Sequence, residues 1–179
     1  MKVVGIAGSL LPKAYVRRLL EASALELPAP VEFEIWDGLA DVPPFEDGLP
    51  LPRPVADLCE ALSEADGMLV TAPAYSVLPP QLVHTLEWIS SQYGGTILLG
   101  VPVVVVTACL RPYESMWTQT RLQAHLAAAG ASVYCADATL SPALVQFDVT
   151  GRITDQVFRT RLRQVLHHLW PASLTGSRA

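Results

Sequence analysis

The sequence predicts an open α/β fold, a five-stranded parallel sheet in the order 2-1-3-4-5 with helices on both faces. Short apolar runs alternate with segments whose apolar residues recur at helical spacing, and this unit occurs five times. Two of the runs, Gly67–Ala72 and Val101–Ala108, are apolar on both faces, which is typical of central parallel strands. Right-handed crossovers and an early edge strand then favour the stated order.

Composition limits the classes of function. The chain has 179 residues, 51% hydrophobic and 16% charged, enough for one domain with a substantial core, expected over residues 1–170 with a disordered tail at 171–179. A net charge of −5 disfavours nucleic acid and anionic membrane as partners. No stretch reaches the roughly 18 apolar residues of a membrane span. Three widely spaced cysteines indicate reduced thiols, a cytoplasmic location and no metal site.

The first βα unit is the one around which the chain is organised. Lys2–Ala7 is a short apolar strand, Gly8–Pro12 breaks it, and a helix is expected from about Lys13 to Leu27. A turn of this kind directs backbone N–H groups and the positive end of a helix dipole toward one point. That point lies at the carboxyl end of the first strand, where open parallel sheets bind ligands.

The second unit begins with Val31–Trp36, whose alternating apolar and glutamate residues predict an edge strand. Five prolines follow within Asp37–Pro54, which is therefore expected to be a long loop without regular structure, of a length that is often functional. A helical stripe precedes the central strand Gly67–Ala72, and its residues are Val55, Leu58, Cys59 and Leu62.

Two more loops follow strand ends. Pro73–Pro80 follows the third strand, and a helix with inward Leu82, Val83, Leu86 and Ile89 comes next. Cys109–Ser115 is expected as the loop after the fourth strand, before a helix over Met116–Ala129 that ends at Gly130, a usual position for helix termination.

The last unit contains strand Ser132–Ala136, a turn at Asp148–Gly151 and a final helix. Thr154 is expected to cap that helix at its amino end. The apolar face of the helix comprises Val157, Phe158, Leu162, Val165, Leu166 and Leu169.

Four short motifs, in this order and spacing, resemble the NADPH-dependent FMN reductase family over about residues 2–169. They are Gly8-Ser9-Leu10, Pro73-Ala74-Tyr75, Leu86-Glu87-Trp88 and the segment from Phe147 to Asp155. The resemblance implies a flavodoxin-like fold, FMN at the carboxyl end of the sheet, NAD(P)H as electron donor and a small-molecule acceptor such as a flavin, quinone or azo compound. It also implies a homodimer. The cofactor-binding candidates are Ser9, Leu10, Lys13, Tyr15, Pro73, Ala74, Tyr75, Ser76, Val77, Cys109 and Arg111.

The sequence departs from the family at the ligand-binding positions. Leu11, Ala14 and Val16 stand where the family has an arginine, a serine and an asparagine that hold the FMN phosphate. The second loop is one residue shorter, and Cys109–Ser115 lacks the family's glycines. Two hypotheses follow: an FMN-dependent NAD(P)H oxidoreductase, or a fold that has lost FMN and serves another ligand or a partner protein. No residue is predicted to be catalytic, because the cofactor carries the hydride.

Several residues keep two interpretations at this stage. Ser9 binds phosphate or only closes the turn, and Lys13, Tyr15 and Arg17 are available to replace the lost groups. Tyr75 stacks on a ligand or packs in an interface. Cys109 is better explained as an inert thiol, and Arg111 as a solvated side chain. For His84, surface or interface packing is favoured over acid–base catalysis.

Dimerisation is expected through the helix from Gln81, whose apolar residues cover more than one face: Leu82, Val83, Leu86 and Trp88.

Overall fold

A computed structural model of the protein describes residues 1–11, 14–28, 30–73, 78–108, 112–136 and 146–170. Five parallel strands form one sheet in the order β2-β1-β3-β4-β5, which confirms the predicted topology. The strands are β1 (Lys2–Ala7), β2 (Glu32–Trp36), β3 (Gly67–Pro73), β4 (Pro102–Ala108) and β5 (Ser132–Cys135).

Five α-helices pack around the sheet in two layers. The bounds are α1 (Tyr15–Ala24), α2 (Arg53–Ser63), α3 (Pro80–Ser91), α4 (Pro112–Ala128) and α5 (Gln156–Leu166). Buried residues of α1 and α5 form one core on one face of the sheet, and those of α2, α3 and α4 form a second core on the other. Among the residues described, no helix is both long and apolar enough to cross a membrane.

Strand burial follows from position in the sheet. In β3 every residue from Gly67 to Ala72 is buried, because the strand is covered on both faces and paired on both sides. In β2 exposed glutamates alternate with more buried Phe33, Ile35 and Trp36, as expected for an edge strand. The alternation of polar and apolar residues therefore identified the outer strand correctly.

Three expectations about element bounds were wrong. Residues Gly38–Asp41 form a 3-10 turn inside the segment that was expected to be irregular, and Pro54 lies in the first turn of α2, where a proline is tolerated. Helix α4 begins at Pro112, so the loop after β4 is shorter than Cys109–Ser115. The cap of α5 is Asp155, whose carboxylate accepts N–H bonds from Val157 at 2.8 Å and Phe158 at 3.0 Å.

The long segment between β2 and α2 packs tightly against α3. We call residues 42–52 of this segment the strap. The Trp88 indole is 2% exposed; its Nε1 donates to the carbonyl of Pro43 at 3.1 Å, and Phe45 meets its ring edge-on at 5.0 Å. The face of α3 that was expected to be free for a second subunit is therefore covered by the chain itself.

Candidate functional site

The turn after β1 is built against the central strand. The N–H of Gly8 donates to the carbonyl of Thr71 at 2.6 Å, which continues the pairing of β1 with β3 by one residue. A Cβ at Gly8 would lie 2.8 Å from Leu82 Cδ2 and 3.2 Å from the Thr71 carbonyl oxygen. A side chain at position 8 would require Leu82 to shift, so glycine lets the turn lie this close to β3 and α3.

The turn leads into an uncapped helix. Ser9 Oγ accepts the N–H of Leu11 at 3.3 Å, which closes the turn, and Ala14 is the cap residue of α1 without a side-chain hydrogen bond. No acidic residue lies in the first turn of α1. The Thr71 hydroxyl donates to the carbonyl of Val16 at 2.8 Å and fixes the start of the helix on β3.

This arrangement fits a phosphate through backbone and dipole rather than through side chains. The amino end of α1 carries partial positive charge, and among the described residues Ala14 provides no side-chain cap and the first turn holds no carboxylate. Leu11 is 70% exposed and contributes no charge, while Val16 is 3% exposed and points into the core. We therefore expect a phosphate to be held less tightly than by a turn with a cation.

Arg17 is the cation closest in sequence to this turn among the residues described, and two carboxylates engage it. Its Nε lies 2.8 Å from Glu21 Oε1, and its Nη1 pairs with Asp37 Oδ1. The Asp37 carboxylate beside it raises the pKa of the Arg17 guanidinium above its ordinary value, and Glu21 adds to the effect. The two carboxylates thus compensate the charge of Arg17, so it binds an anion less strongly than the arginine that the family has at Leu11.

The predicted cofactor-binding residues are placed only in part. Ser9 and Leu10 lie in the turn after β1, and Pro73 ends β3 at the same edge of the sheet, paired in register with Ala108 of β4. The ring of Tyr15 packs against Phe147 with centroids 5.4 Å apart, on the α5 side of the turn. The other predicted residues lie outside the described part of the chain: Lys13, Ala74, Tyr75, Ser76, Val77, Cys109 and Arg111.

Exposed apolar side chains follow two strand ends at this sheet edge, in the turn after β1 and in the first turns of α4, and we call them the rim. Leu10, Leu11, Met116 and Trp117 are all exposed, and Trp117 is 70% exposed at the beginning of α4. Beneath this rim the Gln119 amide donates to the carbonyl of Ala136 at 2.7 Å and ties α4 to the end of β5. The rim therefore offers apolar contact area, and the backbone of the turn offers the polar contacts.

The described thiols do not supply a nucleophile. Burial raises the pKa of both the Cys59 and the Cys135 thiol, so both are protonated at neutral pH. Among the described residues no group of three or more histidines, cysteines and acids could hold a metal ion.

His84 has a structural contact. Its Nδ1 accepts the N–H of Phe45 at 3.2 Å and so helps to hold the strap on α3.

The sequence interpretation missed a cavity of about 360 Å³ beside the turn, between the carboxyl ends of β1 and β2. Asp37 directly follows β2, and this position at a strand end was the available signal. The lining residues are Ala7, Ser9, Leu10, Leu11, Arg17, Glu21, Trp36, Asp37, Leu39 and Ala40.

Comparison with known proteins places the chain in a family. A relative named NADH:(hydroxy)cinnamate reductase subunit CrdA, from Vibrio ruber, is 30% identical over 129 residues, which are 70% of this chain and 60% of the relative. A quinone reductase of Escherichia coli K12 is 26% identical over 117 residues, 62% of this chain and 61% of the relative. The chain thus matches about three fifths of the length of these relatives.

A solved structure supports the same fold. The flavoenzyme NAD(P)H:(acceptor) oxidoreductase FerB from Paracoccus denitrificans superposes with a TM-score of 0.81 at 20% identity, over 94% of each chain. The family model described as NADPH-dependent FMN reductase matches residues 1–142, well over half of the chain. The turn after β1, the strand order and this match agree, and the chain belongs to the NADPH-dependent FMN reductase family.

Proposed function

We propose that this chain is an FMN-dependent NAD(P)H oxidoreductase that reduces a small organic acceptor of the flavin or quinone type. The observation that carries the proposal is the uncapped amino terminus of α1 behind the Gly8 turn, between β1 and β3. In the order 2-1-3-4-5 the connections leave β1 and β3 in opposite directions, and ligands bind at such a point. Family membership supplies the chemistry that belongs to this position.

Each part of the site has a task in this proposal. The backbone of the turn and the α1 dipole bind the phosphate of FMN, with Ser9 closing the turn. Pro73 and the apolar rim of Leu10 and Trp117 exclude water around the ring. FMN, when bound, accepts a hydride from NAD(P)H and passes two electrons to the acceptor, so the protein supplies orientation and surroundings.

The remaining predicted residues keep their proposed roles as cofactor-binding groups. Lys13 and Arg111 are cations that would approach the phosphate or the acceptor, and Tyr75 would pack on the flavin ring. A cytoplasmic location and a homodimer also stay proposals. The exposed Met116 and Trp117 favour a dimer contact on α4, because α3 is covered by the strap.

Steady-state turnover tests the function. Purified protein with added FMN is mixed with NADH or NADPH and a small quinone, and the loss of absorbance of the reduced nicotinamide is followed. We expect oxidation that depends on protein, FMN and quinone together. A rate equal to that of free FMN with the same reagents would contradict the proposal.

The second candidate is a fold that has lost FMN. The observation that favours it is the replacement of three phosphate-binding side chains by Leu11, Ala14 and Val16, together with the engagement of Arg17 by two acids. Under this alternative the protein would bind no FMN at any concentration near physiological, and turnover would be absent with either nicotinamide.

A further inference from the structure

The cavity between β1 and β2 lies on the opposite side of the β1–α1 turn from β3. The strand order is β2-β1-β3, so a ligand at the turn extends over β3 in one direction and over this cavity in the other. The flavin ring of the proposed function belongs to the β3 side, where Pro73 lies. A cavity of about 360 Å³ on the β2 side is therefore available to a different molecule.

The polar half of the cavity suits hydroxyl groups better than a phosphate. Two carboxylates, Glu21 and Asp37, face one guanidinium, so these three groups sum to one negative charge. The ion pair of Asp37 with Arg17 uses Oδ1, and a carboxylate has about four acceptor positions on its two oxygens. Asp37 is 69% exposed at its side chain, so hydroxyl donors can reach it from solvent.

The other half of the cavity is apolar and fixed in shape. The indole of Trp36 donates from Nε1 to the carbonyl of Pro54 at 3.2 Å, which holds the ring in one orientation. Leu39 and Ala40 of the 3-10 turn and Leu10 of the β1–α1 turn complete the wall. An apolar wall beside hydroxyl acceptors matches a nucleoside, whose base is planar and whose ribose carries a vicinal diol.

The position of Asp37 in the fold points to the same ligand. It is the first residue after β2, the strand that pairs with β1. In dinucleotide-binding α/β folds, an acidic residue a short distance beyond the first turn accepts the ribose hydroxyls, and an arginine there accommodates a ribose phosphate instead. At about 4.8 Å between strands, β2 lies roughly 10 Å from β3. Two nucleotides joined by a pyrophosphate can bridge a gap of this order.

We propose that this cavity binds the adenosine half of NADH, with Asp37 accepting the ribose hydroxyls. The carboxylates of Asp37 and Glu21 outweigh the single positive charge of Arg17 and so disfavour a 2′-phosphate. The site therefore favours NADH over NADPH. This inference rests on the proposed function, because it gives the nicotinamide donor of that reaction its binding site.

The test measures binding without turnover. ADP-ribose and its 2′-phosphorylated form carry the adenosine half without the nicotinamide, and both are titrated calorimetrically into the FMN-loaded protein. We expect the affinity for ADP-ribose to be at least about tenfold higher than the affinity for its 2′-phosphorylated form, the difference that one charge-assisted hydrogen bond makes.

Asp37→Asn should reduce that ratio of affinities about tenfold, because it removes the acceptor charge and releases Arg17. Asp41→Asn, an equal change at the end of the adjacent 3-10 turn and outside the cavity lining, should leave the ratio unchanged.

Steady-state kinetics separate this inference from the function on which it rests. Asp37→Asn should raise KM for NADH while kcat stays within about twofold, and it should leave turnover with reduced nicotinamide mononucleotide, which lacks adenosine, unchanged. Equal affinity for the two ADP-ribose forms, or the same ratio in Asp37→Asn and the natural protein, would overturn the inference while turnover persists. Absence of turnover with NADH, with NADPH and with reduced nicotinamide mononucleotide would instead overturn the proposed function.

Discussion

At the residue scale, the buried carboxylate of Glu26 shows how a single charge joins two helices of one layer. Its side chain is 0% exposed, and Oε1 accepts Nε of Arg159 at 2.8 Å. Oε2 lies 2.6 Å from Nη2 of Arg163, an ion-pair contact without hydrogen-bond geometry, and Arg152 is 3.9 Å away. Glu26 follows α1 and its partners lie on and before α5, so the cluster joins these two helices.

Glu26→Gln is expected to lower the free energy of unfolding by about 3 kcal/mol. Removing one partner of a buried ion pair typically costs 3–5 kcal/mol, and the low end applies because Arg152 and Arg163 keep contact with water. Urea denaturation measures the loss. Glu60→Gln, an exposed position on α2, is the control and should change stability by less than about 0.5 kcal/mol. A similar small change in both variants would show that the cluster contributes little.

The turn at Asp148 gives a pH-dependent prediction. Asp148 Oδ1 accepts from the hydroxyl of Thr150 at 2.6 Å and from the N–H groups of Thr150 and Arg152 at 2.8 and 3.0 Å. These bonds, first of all that from the Thr150 hydroxyl, lower the pKa of the Asp148 carboxyl. The stabilisation is complete above the ordinary value of about 3.9 and is lost as pH falls through the lowered pKa.

Amide exchange in the turn should report this titration. Protection of the Thr150 and Arg152 amides is expected to be constant from about pH 5 to 7, after correction for intrinsic exchange, and to fall below about pH 4. Asp148→Ala should abolish the protection at every pH, because no acceptor remains. Protection that persists unchanged in Asp148→Ala would show that backbone bonds alone hold the turn.

The same segment shows a limit of prediction from sequence. Thr154 and Asp155 are adjacent, and both residue types cap helices well. Thr154 instead donates to the carbonyl of Gln146 at 3.2 Å, across the small antiparallel contact of Phe147 with Ile153. That contact determines that Asp155, and not Thr154, caps α5, and no local sequence pattern predicts the contact.

At the scale of elements, the strap turns α3 into a buried helix. Phe45 packs on Trp88 and its N–H bonds to His84, while Pro43 accepts the indole N–H. The periodicity of α3 showed correctly that its apolar residues exceed one face. It could not show what covers them, because the proline-rich strap has no periodic pattern of its own.

Trp88→Ala is expected to lower the free energy of unfolding by about 3–5 kcal/mol, the cost of a large buried aromatic truncated to alanine. Val157→Ala on α5 is the control, because that side chain is 64% exposed and lies outside the proposed dimer contact, and it should cost less than about 0.5 kcal/mol. Thermal or urea unfolding followed by circular dichroism measures both. Equal stability in the two variants would mean that the strap does not bury Trp88 in solution.

At the scale of the whole molecule, the topology could be predicted and the charge arrangement of the site could not. Strand order follows from repeated βα units and the hand of crossovers, which are visible in one sequence. The pairing of Arg17 with Asp37 joins a helix to a strand end 20 residues away, and only the fold brings them together. The consequence is a guanidinium whose charge is compensated beside the phosphate turn, and only the folded chain shows it.

The proposed dimer should depend on the exposed surface of α4. At micromolar concentration we expect light scattering to give twice the chain mass. Trp117→Asp should shift the population toward monomer without loss of helical content, because the indole makes no core contact. Trp88→Asp should instead unfold the protein. A natural protein that elutes with the mass of one chain would contradict the dimer.

The central claim is that this chain binds FMN through the backbone of the β1–α1 turn and the α1 dipole, without the arginine that the family has where this chain has Leu11. Titration of FMN by fluorescence quenching tests it on the natural protein and on Leu11→Arg/Ala14→Ser. Val16 is left unchanged because it is 3% exposed and its carbonyl accepts from Thr71. The account predicts saturable binding of one FMN, about tenfold tighter in the double variant, since one added charge-assisted bond suffices. Absence of binding by both proteins at tens of micromolar FMN would contradict it.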